Sequence, residues 1–214
     1  MQLILCALLL AFALSFVLSL AILPLLRRMG GQHILVYVRE HEQKEGTPTM
    51  GGLAFVCAAA LAALPFARGA DKRFWVTLAV GLGYLIVGFL DDFLKKRRGS
   101  NLGLRAYQKM LFQLGVALIA SIYCCLEGLT VLRIPYTRLA FDIGWWMLPL
   151  GVFVFVATVN GVNLTDGLDG LAGGTSAVFF LVLALLLGAQ GGSDAIALLC
   201  VCLVGALAAF LLFN

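Results

Sequence analysis

Charge is scarce in this chain. Only 12% of its 214 residues are Asp, Glu, Lys or Arg, 62% are hydrophobic, and the mean hydropathy is +1.03. An ordinary soluble domain could not hide so much apolar surface. The net charge of +4 is modest and no long basic run occurs, so the sequence excludes a nucleic-acid-binding role and uses its basic residues to set orientation. Strict alternation of apolar and polar residues is missing, which excludes a transmembrane β-barrel. The six cysteines, Cys6, Cys57, Cys124, Cys125, Cys200 and Cys202, all sit in apolar runs. None forms a CxxC pair or neighbours a histidine, and they read as small buried hydrophobes. The two histidines, His33 and His41, share a polar loop at a spacing that does not suit zinc. No soluble domain, linker, internal repeat or low-complexity tract is visible.

What remains is a succession of apolar runs. Residues 2–26, 53–67, 74–90, 110–126, 145–159, 171–189 and 194–213 predict about seven transmembrane helices. Every span is expected to be helical, because lipid offers no partner to unpaired backbone groups. The fold class is therefore an all-α polytopic membrane protein, read as one domain over 1–214. The first run has no basic residue before it and Arg27-Arg28 straight after, which marks a retained helix and not a signal peptide.

Seven spans place loops 27–51, 91–109 and 160–170 on one side. That side holds ten basic residues, Arg27, Arg28, Arg39, Lys44, Lys95, Lys96, Arg97, Arg98, Arg105 and Lys109. The other holds five, Arg68, Lys72, Arg73, Arg133 and Arg138. The asymmetry predicts an outside N-terminus and three cytoplasmic loops. Trp75, Trp145, Trp146 and Tyr136 then gather toward the outer interface as an aromatic belt.

The polar stretches on the cytoplasmic side are unlike span-connecting loops. NGVNLTDGLDGLAGG (160–174) puts two Asn, two Asp, one Thr and five Gly between two apolar runs. Carboxylates cost about 2.5–3.5 kcal/mol each at a helix centre in a bilayer, and each Gly weakens a helix by roughly 1 kcal/mol. Asn160, Asn163 and Asp166 are three apart, as are Asp166 and Asp169, so a helical segment would line their oxygens on one face. A Gly-rich turn capped by Asn and Asp is the plainer alternative. Asp91-Asp92 closes an apolar helix, with Lys95 and Lys96 ready to neutralise it. GTPTMGG (46–52) sets a Pro turn and paired Gly at a helix start, where backbone N–H groups favour anions. Hard oxygen ligands beside Lys44, Lys109 and residues 95–98 are the parts of a Mg²⁺-assisted phosphoryl transfer. A transporter with acidic residues on an ion path would place them near mid-membrane instead.

Four stretches, HEQKEGTPTMGG (41–52), GFLDDF (88–93), NLGLRAYQK (101–109) and VNLTDGLDGLA (162–172), resemble the bacterial phospho-N-acetylmuramoyl-pentapeptide transferases. These form a branch of the polyprenyl-phosphate N-acetylhexosamine-1-phosphate transferase superfamily. The resemblance implies a phosphoglycosyl transferase of peptidoglycan and cell-wall synthesis, multi-pass in the bacterial plasma membrane with its site on the cytoplasmic face. It would move phospho-MurNAc-pentapeptide from the UDP-linked donor to undecaprenyl phosphate, giving lipid I and UMP with Mg²⁺. By the same resemblance Asp91 and Asp92 engage or deprotonate the lipid phosphate, Asp166 and Asp169 lie on the nucleotide-sugar side, and Asn163 ligates the metal. Lys44, Thr49, Lys109 and Asn160 then bind substrate. A homodimer is compatible with it. A sister transferase moving N-acetylglucosamine 1-phosphate onto the same lipid is the nearest alternative. The family has about ten spans, a further metal-binding Asp in a GDxGS-like stretch and a His-rich loop, none of which this sequence contains. The expectation is thus of a domain incomplete at its C-terminal end and inactive alone, or of a truncated, non-catalytic membrane protein.

Overall fold

A computed structural model describes residues 2–28, 51–98, 103–134, 137, 139–190 and 194–213. The order is α1 (Gln2–Arg28), α2 (Gly52–Ala63), α3 (Lys72–Arg98), α4 (Ala106–Leu126), β1 (Val131–Arg133), β2 (Ala140–Asp142), α5 (Met147–Thr165), α6 (Leu171–Ala189) and α7 (Asp194–Phe210). Among the described residues five helices are long and apolar enough to cross a membrane: α1, α3, α4, α5 with its leading turn, and α6. Two shorter apolar helices, Gly52–Phe66 and Ala195–Phe210, account for the other two expected spans. The fold is an all-α polytopic membrane protein, as the apolar runs predict.

By contacts the chain divides into two compact units, 1–104 with 164–214, and 105–163. In the first, α7 packs against α1, α2 and α6. The seam is built from small residues: Ala7, Ala11, Ala58, Ala59, Ala62, Cys202 and Ala206 are all buried. Between apolar helices in lipid, close approach and dispersion supply the attraction that hydrophobic burial supplies in water. A side chain at Gly205 would run into the backbone carbonyl of Leu8. Ser15 Oγ donates to the Ala206 carbonyl at 2.8 Å, satisfying a hydroxyl that lipid could not.

In the second unit, α4 and α5 are joined by a small antiparallel hairpin, β1–β2, with Leu132 opposite Phe141. Its base is fixed. Ile143 N donates to Thr130 O at 3.1 Å, and Asp142 Oδ1 accepts from Thr130 Oγ1 at 2.5 Å and Gly144 N at 2.9 Å. Gly151 of α5 meets Ser121 of α4, where a Cβ would come within 2.6 Å of the Ser121 hydroxyl.

Two boundaries differ from the sequence reading. Helix α3 does not close at Asp91-Asp92 but runs on to Arg98. Asp91 and Asp92 stand four and three residues before Lys95, a spacing that supports a helix. Helix α5 likewise continues past residue 159 to Thr165 and takes in Asn160 and Asn163.

Candidate functional site

The Asp pair sits on the charged extension of α3. Lys95 Nζ lies 2.7 Å from Asp91 Oδ2 and 3.2 Å from Asp92 Oδ1, so one ammonium bridges two adjacent carboxylates. That resolves the repulsion two neighbouring Asp would otherwise feel. Their surroundings are unequal. Asp91 is buried, 7% exposed, and its Oδ1 also accepts from Leu104 N at 2.9 Å. Gly103 permits this approach: a Cβ there would collide with the Asp91 carboxylate and come within 2.8 Å of Lys95 Cγ. Asp92 is the more open of the two. Lys95 is the neutralising cation the sequence points to, and the Gly103-Leu104 link is a part of the site that a reading of the Asp pair does not assign. The glycine in NLGLRAYQK is the signal that points to a close backbone approach.

In the 105–163 unit the N-terminal turns of α4 meet the C-terminal turns of α5. Lys109 Nζ donates to Asn163 Oδ1 at 3.5 Å, and Asn160 Nδ2 donates to Gln113 Oε1 at 2.9 Å and to the Val156 carbonyl at 2.8 Å. Gln113, within the apolar run of α4, is buried. The sequence reading missed it, although a lone amide in a membrane span is a functional signal in itself. Above Asn160 runs an open apolar groove of about 470 Å³, lined by Leu114, Pro149, Val152, Phe153, Val156 and Ala157. This unit therefore places an apolar surface directly beside the Asn160 amide, with the Lys109–Asn163 pair at the same end of the two helices.

Asp166 and Asp169 fall in the turn between α5 and α6, both exposed. The one-face helical arrangement expected for Asn160, Asn163, Asp166 and Asp169 holds only for the two Asn. Helix α5 ends at Thr165, so both Asp lie beyond it, and Gly170, whose φ of 77° is left-handed, redirects the chain into α6. Lys44 and Thr49 lie outside the described residues.

The donor set suits a hard cation. Asn163 Oδ1 is exposed and accepts only a long bond from a flexible Lys, so a metal could reach it once Lys109 moves aside. Among the described residues no three or more His, Cys, Asp or Glu gather into a metal cage. Mg²⁺ needs none, because it commonly binds through one or two protein oxygens, waters and substrate phosphates.

The family model described as Glycosyl transferase family 4 matches residues 74–214, and that of phospho-N-acetylmuramoyl-pentapeptide-transferase signature 1 matches residues 44–56. Relatives named phospho-N-acetylmuramoyl-pentapeptide-transferase include one from Oceanobacillus iheyensis, 39% identical over 95% of this chain and 65% of its own length. Those from Bacillus subtilis and Geobacillus kaustophilus are 39% and 41% identical, each over 100% of this chain and 67% of theirs. The chain spans about two thirds of the length of the curated relatives it matches. Coverage of this extent, with the signature falling on the stretch that contains Lys44 and Thr49, means that the chain belongs to glycosyl transferase family 4 and, within it, to the phospho-N-acetylmuramoyl-pentapeptide-transferase family.

Proposed function

We propose that the chain builds the membrane-surface site of a transferase that joins phospho-MurNAc-pentapeptide to undecaprenyl phosphate, forming lipid I and releasing UMP at the cytoplasmic face of the plasma membrane. The observation that carries this reading is the 105–163 unit, where an apolar groove ends at Asn160 beside Gln113, with Lys109 and Asn163 at the same end of the helix pair. A lipid phosphate needs both halves of that arrangement, a surface for its hydrocarbon tail and a cationic end for its head group.

A phosphate oxygen of the carrier attacks the sugar-bearing phosphorus of the UDP-linked donor. The bond from that phosphorus to the bridging oxygen breaks, and UMP departs with the electron pair. Lys109 steadies phosphate oxygens as a point charge. Asp92, the more open of the pair, engages the acceptor head group. Asp91 has one oxygen on Lys95 and the other on Leu104 N, and it holds Lys95 in place as a positioning residue. Asp166 and Asp169 face the nucleotide sugar, and Lys44 and Thr49, in the sequence before α2, bind substrate. Asn163 would hold Mg²⁺ together with waters and substrate phosphates, and when bound the metal offsets the charge of the diphosphate and stabilises its leaving oxygen.

The test uses a chimera in which this chain replaces the matched portion of the Bacillus subtilis relative. In membrane vesicles the chimera is expected to release UMP from UDP-MurNAc-pentapeptide only when undecaprenyl phosphate and Mg²⁺ are both present. UMP release without the lipid acceptor, or no release from a chimera that inserts normally, contradicts the proposal.

A further inference from the structure

The hairpin between α4 and α5 has two unlike faces. Directly opposed residues of an antiparallel pair share a face, and successive residues alternate between faces. The pairs Val131–Asp142, Leu132–Phe141 and Arg133–Ala140 fix the register. The bond from Ile134 N to Leu139 O, 3.1 Å, carries it one pair further toward the tip. Leu132, Ile134, Leu139 and Phe141 therefore lie on one face, and Arg133 and Asp142 with Val131 and Ala140 on the other. The apolar face is open: Leu132 is 40% exposed, Ile134 44%, Leu139 55% and Phe141 52%.

A hairpin of two short strands is marginal in water, and a face of four large apolar residues needs cover. What lies beside it is set by its neighbours in the chain. It leaves the end of one membrane-length helix, α4, and enters another through Trp145 and Trp146, which are 67% and 77% exposed. Exposed Trp at the end of a span belongs at the lipid–water boundary. The bonds of Thr130, Asp142 and Gly144 tie the base of the hairpin to that same turn. Four side chains are also too small a patch for a stable contact between copies, which requires about 800 Å² per partner.

We infer that the β1–β2 hairpin is a monotopic membrane anchor. It lies flat on the leaflet from which α4 emerges, with Leu132, Ile134, Leu139 and Phe141 among the head groups and upper acyl chains and Arg133 toward phosphate and water. The hairpin then fixes the tilt of the α4–α5 pair, because its base is hydrogen-bonded to the turn that starts α5.

The test is photo-crosslinking of the full chain in proteoliposomes of phosphatidylethanolamine and phosphatidylglycerol, read by mass spectrometry. Benzoylphenylalanine is placed at Phe141 and, in a second variant, at Leu139; a third carries it at Ala140 on the opposite face. Phospholipid adducts at 141 and 139 several-fold above those at 140 are expected. Equal lipid adducts on both faces, or crosslinks at 141 and 139 to a second copy of the chain or to the chain's own helices in place of lipid, overturn the inference. The Leu139 variant keeps the test decisive if the Phe141 variant folds poorly.

Discussion

Asp91 and Asp92 are adjacent in sequence and unequal in use. Asp91 is shut in by Lys95, Leu104 N and the bare Cα of Gly103, whereas Asp92 shares Lys95 and keeps a more open carboxylate. In the chimera, Asp92→Asn is expected to cut turnover at least tenfold with an unchanged thermal unfolding midpoint. Asp91→Asn removes the charge of a buried carboxylate from its pair with the partly exposed Lys95 and is expected to cost roughly 1–3 kcal/mol of stability, read as a lower midpoint in detergent. Equal effects of the two substitutions on both readouts would sink the division of roles. Asn163→Ala removes an oxygen and leaves Lys109 without that acceptor. It is expected to raise the Mg²⁺ concentration needed for half-maximal transfer by about tenfold; an unaltered titration would reduce Asn163 to a helix-end amide.

At the level of elements, run length and composition made the helices legible, and the charge pattern misplaced two of their ends. Hydropathy stops at Asp91, but backbone hydrogen bonding does not, and Lys95 turns two carboxylates into helix-compatible pairs. The same held at residue 159, where polar Asn160 and Asn163 look like loop and are helix. The hairpin was not legible, because strands of three residues carry too little periodicity to stand out in a loop. Gln113 was legible and overlooked. Of the site, the motif residues were readable as types in a pattern, but the Asp91–Leu104 and Asn160–Gln113 bonds depend on tertiary packing and no spacing predicts them.

The hairpin also carries a pH dependence. The Thr130 hydroxyl first, then the Gly144 N–H, holds the Asp142 carboxyl below its ordinary range. A depressed folded value means the charged form stabilises the hairpin base above the ordinary Asp value of about 3.9, and that contribution is lost as pH falls through the lower folded value. Hydrogen exchange at Ile143 N, corrected for intrinsic rate, is expected to stay slow down to about pH 4 and to quicken below it. Thr130→Val is expected to shrink that quickening, because the folded value then lies closer to the ordinary one; an unchanged pH profile would contradict the assignment.

For the molecule as a whole, the claim is a topology as much as a site. Basic residues cluster in the sequence between α3 and α4, while the α4–α5 hairpin has few, and on that asymmetry we propose that the hairpin lies outside. A green fluorescent protein inserted at Gly128 and exported unfolded is expected to stay dark, and one fused after Arg98 to fluoresce; the opposite pattern would invert the topology and remove the polar ends from the cytoplasm. The small-residue seam of α1, α2 and α7 and the exposed apolar surfaces of α5 and α6 fit a membrane setting.

The measurement that bears most directly on the account is the product itself. The chimera, supplied with undecaprenyl phosphate, Mg²⁺ and equal amounts of UDP-MurNAc-pentapeptide and UDP-N-acetylglucosamine, is expected to yield lipid-linked phospho-MurNAc-pentapeptide and to leave the second donor intact. Lipid-linked N-acetylglucosamine as the main product would assign the chain to sister chemistry and contradict the proposed reaction.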